Sequence, residues 1–255
     1  MGAKRTEGGT RAKLGAFAAY PVLVLVAAIA VVVSLYLAFE VAPIEKEMGV
    51  VQKIFYFHVP SAVGAYAGFF CAFIFSIWYL LRPSDRVDAL ARCGAEIGMV
   101  FCAMVLTSGP LWARPVWGTF FVFDPQLTAT LFLFLIYGAY VIVRFVASDS
   151  PRIKKIAAVI AIFGFIDVPI IHISVKRWGG THPLVEREGG GGLHPDMKVA
   201  FYFAMATFLV VYAVIYWLRV RIAAQHARLR DLEHEVDERA DEIAELTART
   251  EGASV

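Results

Sequence analysis

The sequence predicts an all-α integral membrane protein: six transmembrane helices followed by a C-terminal cytoplasmic amphipathic helix. Three observations predict it. Of the 255 residues, 59% are hydrophobic and 18% charged, which is too apolar for a water-exposed domain. The apolar residues gather into six long runs. The Lys and Arg residues between those runs fall mainly on alternate connections, as they do in multi-pass membrane proteins.

Residues 1–13 form a polar, basic N-terminus carrying Lys4, Arg5, Arg11 and Lys13. The apolar run 14–39 is longer than the about 7–15-residue core of a signal peptide, so it reads as a first membrane helix. Five further runs follow: Pro60–Leu81, Cys93–Pro110, Pro125–Val146, Ile156–Val175 and Lys198–Leu218. Each is long enough for a hydrocarbon core of roughly 30 Å, which takes about 20 helical residues. Pro60 fits the first turn of the second helix, where a missing N–H costs nothing. Residues 14–218 are thus one six-helix membrane domain. With the N-terminus inside, the inner segments 1–13, 82–92, 144–155 and 219 onward hold 17 basic residues, and the outer loops 41–59, 111–124 and 176–198 hold 7. That bias places both termini in the cytoplasm.

The tail 219–255 changes character. Ile222, Leu229, Val236 and Ile243 repeat every seven residues, with Leu218, Leu232 and Leu246 at the companion position and Gln225 and Arg239 interrupting it. Such a stripe is either a solvated helical extension or a coiled-coil seam for a partner through 219–250. In the outer loop 176–197, Glu188 is followed by four glycines. That run reads as a linker or as slack that lets a loop histidine move. The cysteines Cys71, Cys93 and Cys102 have no metal or redox spacing, and there is no CxxCH. No nucleic-acid partner is expected.

The chemistry concentrates around residues 112–124. Trp112, Trp117, Phe120, Phe121 and Phe123 close on Asp124 and Pro125, a denser cluster than an interfacial anchor needs. A π-rich shelf at the water–lipid boundary suits a large planar ligand. His58, in FYFHVPSA, and His182, in RWGGTHP, reach the same membrane face. Two neutral imidazoles approaching a macrocycle from opposite sides would serve as axial ligands of haem iron. Each alone also reads as an interfacial, hydrogen-bonded residue. His172 reads as an internal hydrogen-bonding residue and His194 as part of the turn that starts the sixth helix. Both stand as secondary candidates. Arg114, Lys176 and Arg177 can pair with propionates or sit among lipid headgroups. Asp124 reads as the N-cap of the fourth helix with Pro125 at its first position. Asp167 lies near mid-depth in the fifth helix, where a carboxylate is expensive and a functional role is the default, pairing inside the bundle being the alternative. Glu96 fits interfacial solvation.

At WGTFFVFDPQLT the chain resembles the tryptophan-rich "WWD" segment of the haem-handling superfamily. With FYFHVPSA before the second helix and VPIIHISVKRWGGTHP after the fifth, it resembles the CcmC family in particular, over residues 45–215. The resemblance implies haem, as haem b in transit, bound at the outer face of a bacterial inner membrane. His58 and His182 would be its axial ligands, and Trp117, Gly118, Phe120, Phe121, Phe123 and Asp124 its platform. It further implies delivery to a periplasmic chaperone, CcmE, for c-type cytochrome biogenesis, beside an ABC transporter formed with CcmA and CcmB and a small helper, CcmD. The family usually reads WGxWWxWD. Here three indoles are phenylalanines, which keeps apolar stacking and removes indole N–H donors. The family also tends to have an uncharged residue at Asp167 and lacks the heptad tail.

Two readings follow. In the first, the chain binds haem and presents it, acting as a delivery protein more than as a catalyst. In the second, it is a permease subunit of an ABC-type haem exporter. There is no Walker A motif, so any ATPase would be a separate subunit. A larger relative from the other cytochrome c assembly route is disfavoured by the short length.

Overall fold

The computed structural model describes residues 3–147, 150–178 and 193–252. It contains six long α-helices: α1 (Ala3–Tyr36), α2 (Phe55–Leu81), α3 (Asp85–Trp117), α4 (Pro125–Val146), α5 (Pro151–Trp178) and α6 (Pro195–Gly252). A π-helical turn, Leu37–Val41, extends α1, and a 3-10 turn, Val50–Ile54, leads into α2. All six helices are long and apolar enough to cross a membrane. The predicted count and class are therefore found, in a multi-pass membrane protein. Contacts divide the chain into a bundle, Met1–Tyr216, and a tail, Trp217–Val255.

Within the bundle α3 lies against α2 and α4, and α5 against α2 and α4. The core is aromatic and small-residue rich. Phe69 stacks on Tyr137 at 3.9 Å between centroids, and Ala65, Ala72, Ala95 and Ala161 fill the spaces around them. In lipid there is no hydrophobic drive between helices, so close backbone approach supplies the packing. The α2–α3 crossing shows this directly. A Cβ built on Gly68 would lie 2.6 Å from the Gly98 Cα, and one on Gly94 would lie 2.8 Å from the Gly68 carbonyl oxygen. Apolar side chains such as Val22, Leu25 and Val32 of α1 are exposed, as helix surfaces facing lipid must be.

Several predicted limits shift: the third helix starts at Asp85 rather than Cys93, the fifth at Pro151 rather than Ile156, and α6 runs past Leu218 to Gly252. The second helix starts at Phe55, so Pro60 is interior and buried rather than in the first turn. The 3-10 turn feeds straight into it through Ile54 in the αR conformation. The third helix does not end at Pro110. It continues through Pro110 and Pro115 to Trp117. Each proline removes one N–H, but in lipid an open backbone would leave far more groups unsatisfied, so the helix carries on. Gly118 ends it at φ +76°, the left-handed conformation that glycine adopts without strain, and its N–H returns to the Arg114 carbonyl at 3.0 Å. The fourth helix, Pro125–Val146, has the predicted limits.

At the end of the bundle where α3 begins, ion pairs tie three helices. Arg144 of α4 donates to Asp88 of α3 at 2.7 Å, and Lys154 of α5 to Asp85 of α3 at 2.8 Å.

Candidate functional site

The opposite end gathers the start of α2, the end of α3, the segment 118–124 and the starts of α4 and α6. Its foundation is Lys53. That side chain is buried, and its ammonium donates to the carbonyls of Phe39 at 2.6 Å, Ala38 at 3.0 Å and Ala42 at 3.3 Å. A π-turn ends with carbonyls that lack helical partners, and a cation is their best substitute. Lys53 therefore pins the end of α1 beneath the start of α2. Phe55 then stacks on Phe201 of α6 at 4.8 Å, beside buried Tyr56, Met197 and Ala200.

On this base His58 stands in the first turn of α2. Its Nδ1 lies 2.9 Å from the Ser108 hydroxyl of α3. That hydroxyl is also 2.6 Å from the Met104 carbonyl, a separation that requires the hydroxyl proton between the two oxygens. A hydroxyl has one proton, so toward His58 the serine accepts and Nδ1 donates. In that arrangement a neutral ring would carry its proton on Nδ1 and leave Nε2 as its acceptor nitrogen. Gly109 brings α3 against the same ring: a Cβ there would meet the His58 Cε1 at 3.3 Å. One turn beyond Ser108, on the same face of α3, comes Trp112.

The aromatic stretch is split between helix and loop. Trp112, Arg114 and Trp117 belong to the last turns of α3, which corrects their predicted placement in an outer loop, and only 118–124 connects α3 to α4. Trp112 and Trp117 meet edge to face at 5.0 Å, and Phe121 and Phe123 do the same at 5.1 Å. Arg114 donates to the Gly118 carbonyl, and its guanidinium lies over the Phe120 ring at 5.3 Å. It thus stiffens the turn with one of its five N–H donors. Phe120 and Phe123 are exposed, Phe123 by 82% of its surface. Asp124 caps α4 as predicted: it is buried, and its Oδ1 accepts from the Leu127 N–H at 2.8 Å, with Pro125 next.

The other candidates stand apart. His182 lies outside the described residues. His172 is exposed on α5, contrary to the internal position predicted for it, because its helical register turns it away from buried Ile171 and Ser174. Arg177 is exposed near the end of α5. His194 opens α6 as expected, its carbonyl accepting from the Lys198 N–H at 3.0 Å and its Nδ1 lying 3.4 Å from the Asp196 N–H. Glu96 is paired with Arg92 at 2.8 Å along α3. In α5 the buried Asp167 Oδ2 has no hydrogen-bond partner among the described residues.

Lys53, Ser108 and Gly109 were not singled out by sequence reasoning. A lysine between apolar residues reads as a loop charge, and a serine in a membrane helix as a filler. Only contacts across 14 and 50 residues of chain give them roles.

Six helices long and apolar enough to cross a membrane define a multi-pass membrane protein, with His58 and an aromatic cluster at one end of the bundle. The chain belongs to the heme exporter protein C family, CcmC, which matches it over residues 9–235. It is 31% identical over 190 residues to a cytochrome c biosynthesis ccmC-like mitochondrial protein of Marchantia polymorpha, covering 74% of this chain and 80% of the relative. It is 30% identical over 194 residues to the heme exporter protein C of Bradyrhizobium diazoefficiens, covering 75% and 74% respectively. With the heme exporter protein C of Escherichia coli K12 it shares 29% over 205 residues, covering 79% and 82%.

Proposed function

We propose that this chain binds haem at the outer face of a bacterial inner membrane and presents it to a periplasmic haem chaperone of the CcmE kind during c-type cytochrome biogenesis. The observation that carries the reading is His58. Its Nδ1 lies 2.9 Å from the Ser108 hydroxyl of α3, and with the proton on Nδ1 the ring nitrogen that would ligate iron is Nε2. Aromatic residues at the same end of the bundle suit the cargo. Trp112 lies one turn from Ser108, and the exposed Phe120 and Phe123 offer apolar faces for a macrocycle. His182 is the proposed second axial ligand, and Arg114 and Arg177 the cations for the propionates. The basic-residue bias supports cytoplasmic termini.

Bound haem supplies its own reactivity toward the chaperone. The protein contributes a rigid cap at Asp124, apolar stacking, axial orientation and exclusion of water from one face. Holding cargo and chaperone in register lowers the barrier by pre-paid entropy, a proximity effect that reaches several kcal/mol, roughly 7–11 at its limit. CcmA, CcmB and CcmD are the proposed membrane partners, and a helical partner is proposed for 219–250. The relatives' names, heme exporter protein C and cytochrome c biosynthesis protein, support this setting.

The test is the visible spectrum and haem content of the detergent-purified chain. A low-spin spectrum is expected in the wild type, converted to high spin or lost in both His58→Ala and His182→Ala. Unchanged haem in both variants would reject these ligands and move attention to His172 and His194. A second reading, an exporter permease subunit, has on its side the Asp167 oxygen that lacks a hydrogen-bond partner among the described residues, one polar group within the bundle. Haem loading that depends on ATP hydrolysis by a partner subunit would favour it.

A further inference from the structure

We infer that Ser108 and Gly109 of α3 are positioning residues that set the tautomer and ring orientation of His58. The inference rests on His58 being an axial ligand of haem, but the geometry exists in the protein alone. A histidine can carry its proton on either nitrogen, and only one tautomer presents the other nitrogen to a metal. Here the choice is made by a serine whose own proton is committed. The Ser108 hydroxyl donates to the Met104 carbonyl at 2.6 Å, one turn back in α3, and leaves an acceptor for Nδ1–H at 2.9 Å. Had the hydroxyl pointed at His58 instead, Nδ1 would be the acceptor and Nε2 would hold the proton.

Gly109 supplies the second half of the seat. The His58 Cε1 sits 3.3 Å from where a Cβ on residue 109 would lie, which is tighter than ordinary contact. Any side chain there would tilt or lift the ring. Ser108 thus fixes the proton and Gly109 the approach, so α3 supplies both the acceptor and the close contact that hold the ring. A partner that accepts the second N–H of a metal-bound imidazole also makes the ring a stronger electron donor, which favours the oxidised metal. Substitutions at such partners cost about 10–100-fold in metal affinity.

Two measurements test this. The first uses the haem-free protein with 15N-labelled histidine, the His58 signals being assigned by their loss in His58→Ala. The wild type should show the Nδ1–H tautomer, Ser108→Ala should show Nε2–H in major amount, and Ser108→Thr should restore the wild-type pattern. The second measures haem affinity and midpoint potential. Ser108→Ala should bind haem about 10–100-fold more weakly and at a higher potential, Ser108→Thr should recover both, and Gly109→Val should weaken binding without moving the tautomer. A wild-type tautomer and potential in Ser108→Ala would overturn the inference. If His58→Ala keeps the wild-type haem spectrum, the ligand reading fails. The tautomer measurement then still decides whether Ser108 controls the ring.

Discussion

Single side chains set the character of this bundle where polar atoms meet lipid or a neighbouring helix. Asp124 and Lys53 are satisfied cases: one carboxylate accepts a backbone N–H at the start of α4, and one ammonium serves three carbonyls at the end of α1. Asp167 is the contrasting case. Its Oδ2 is buried without a hydrogen bond among the described residues, so the carboxylate adds desolvation cost and no compensating bond there. Asp167→Asn is therefore expected to leave the thermal unfolding midpoint in detergent unchanged or higher. A loss of more than about 1 kcal/mol would show instead that the carboxylate is held by a partner. Part of this scale was legible in the chain. The Asp124-Pro125 pair announces a helix start, and a carboxylate inside an apolar run announces itself as costly. Ser108 carries no such local signal, because its role exists only once α2 lies beside it.

The element that decides the geometry of the rim is the α2–α3 pair. Its backbones approach so closely that Gly68, Gly94 and Gly98 leave no room for a methyl group. Gly68→Ala would place its Cβ against the Gly98 backbone, which cannot swing aside as a side chain can. The expected cost is about 1–3 kcal/mol, read as a shift of the denaturant midpoint. Gly138→Ala serves as the control. Its nearest neighbour is the Met99 Cε at 3.9 Å, and it should be close to neutral. Under the proposed His58 ligation, Gly68→Ala should also weaken haem binding, since separating α2 from α3 parts His58 from Ser108. The length of α3 has a separate cause. Its prolines read as an end from sequence, yet the helix persists to Gly118 because lipid penalises an opened backbone more than two missing N–H groups.

Across the whole bundle the two ends are built differently. One carries the aromatic rim. The other is closed by the Asp88–Arg144 pair, whose side chains are only 10% and 4% exposed, joining α3 to α4. Removing one member of a buried pair leaves the other charge uncompensated. Asp88→Ala is therefore expected to cost about 3–5 kcal/mol in unfolding free energy. Asp85→Ala should cost less than Asp88→Ala, because Asp85 is 87% exposed and only Lys154, 10% exposed, is left without its partner. Equal effects would mean that the two pairs work as one network. The tail, a unit of its own, keeps Leu229, Leu232 and Val236 exposed along its heptad row, which is where a helical partner would be sought.

The class, the number of spans, the limits of α4 and the residues that cap it were all readable from the chain. Those features depend on run length, composition and the chemistry of neighbouring residues, all of which are local. The family resemblance was likewise carried by short ordered motifs. The tertiary structure alone decided that Trp112, Arg114 and Trp117 are helical, that Lys53 clasps the end of α1, that His172 faces outward, and that Ser108 and Gly109 seat His58. The Lys53 clasp and the Ser108–Gly109 seat rest on a hydrogen bond or close approach between segments far apart in the chain, and the other two on helix persistence and register. Neither periodicity nor composition records such a contact.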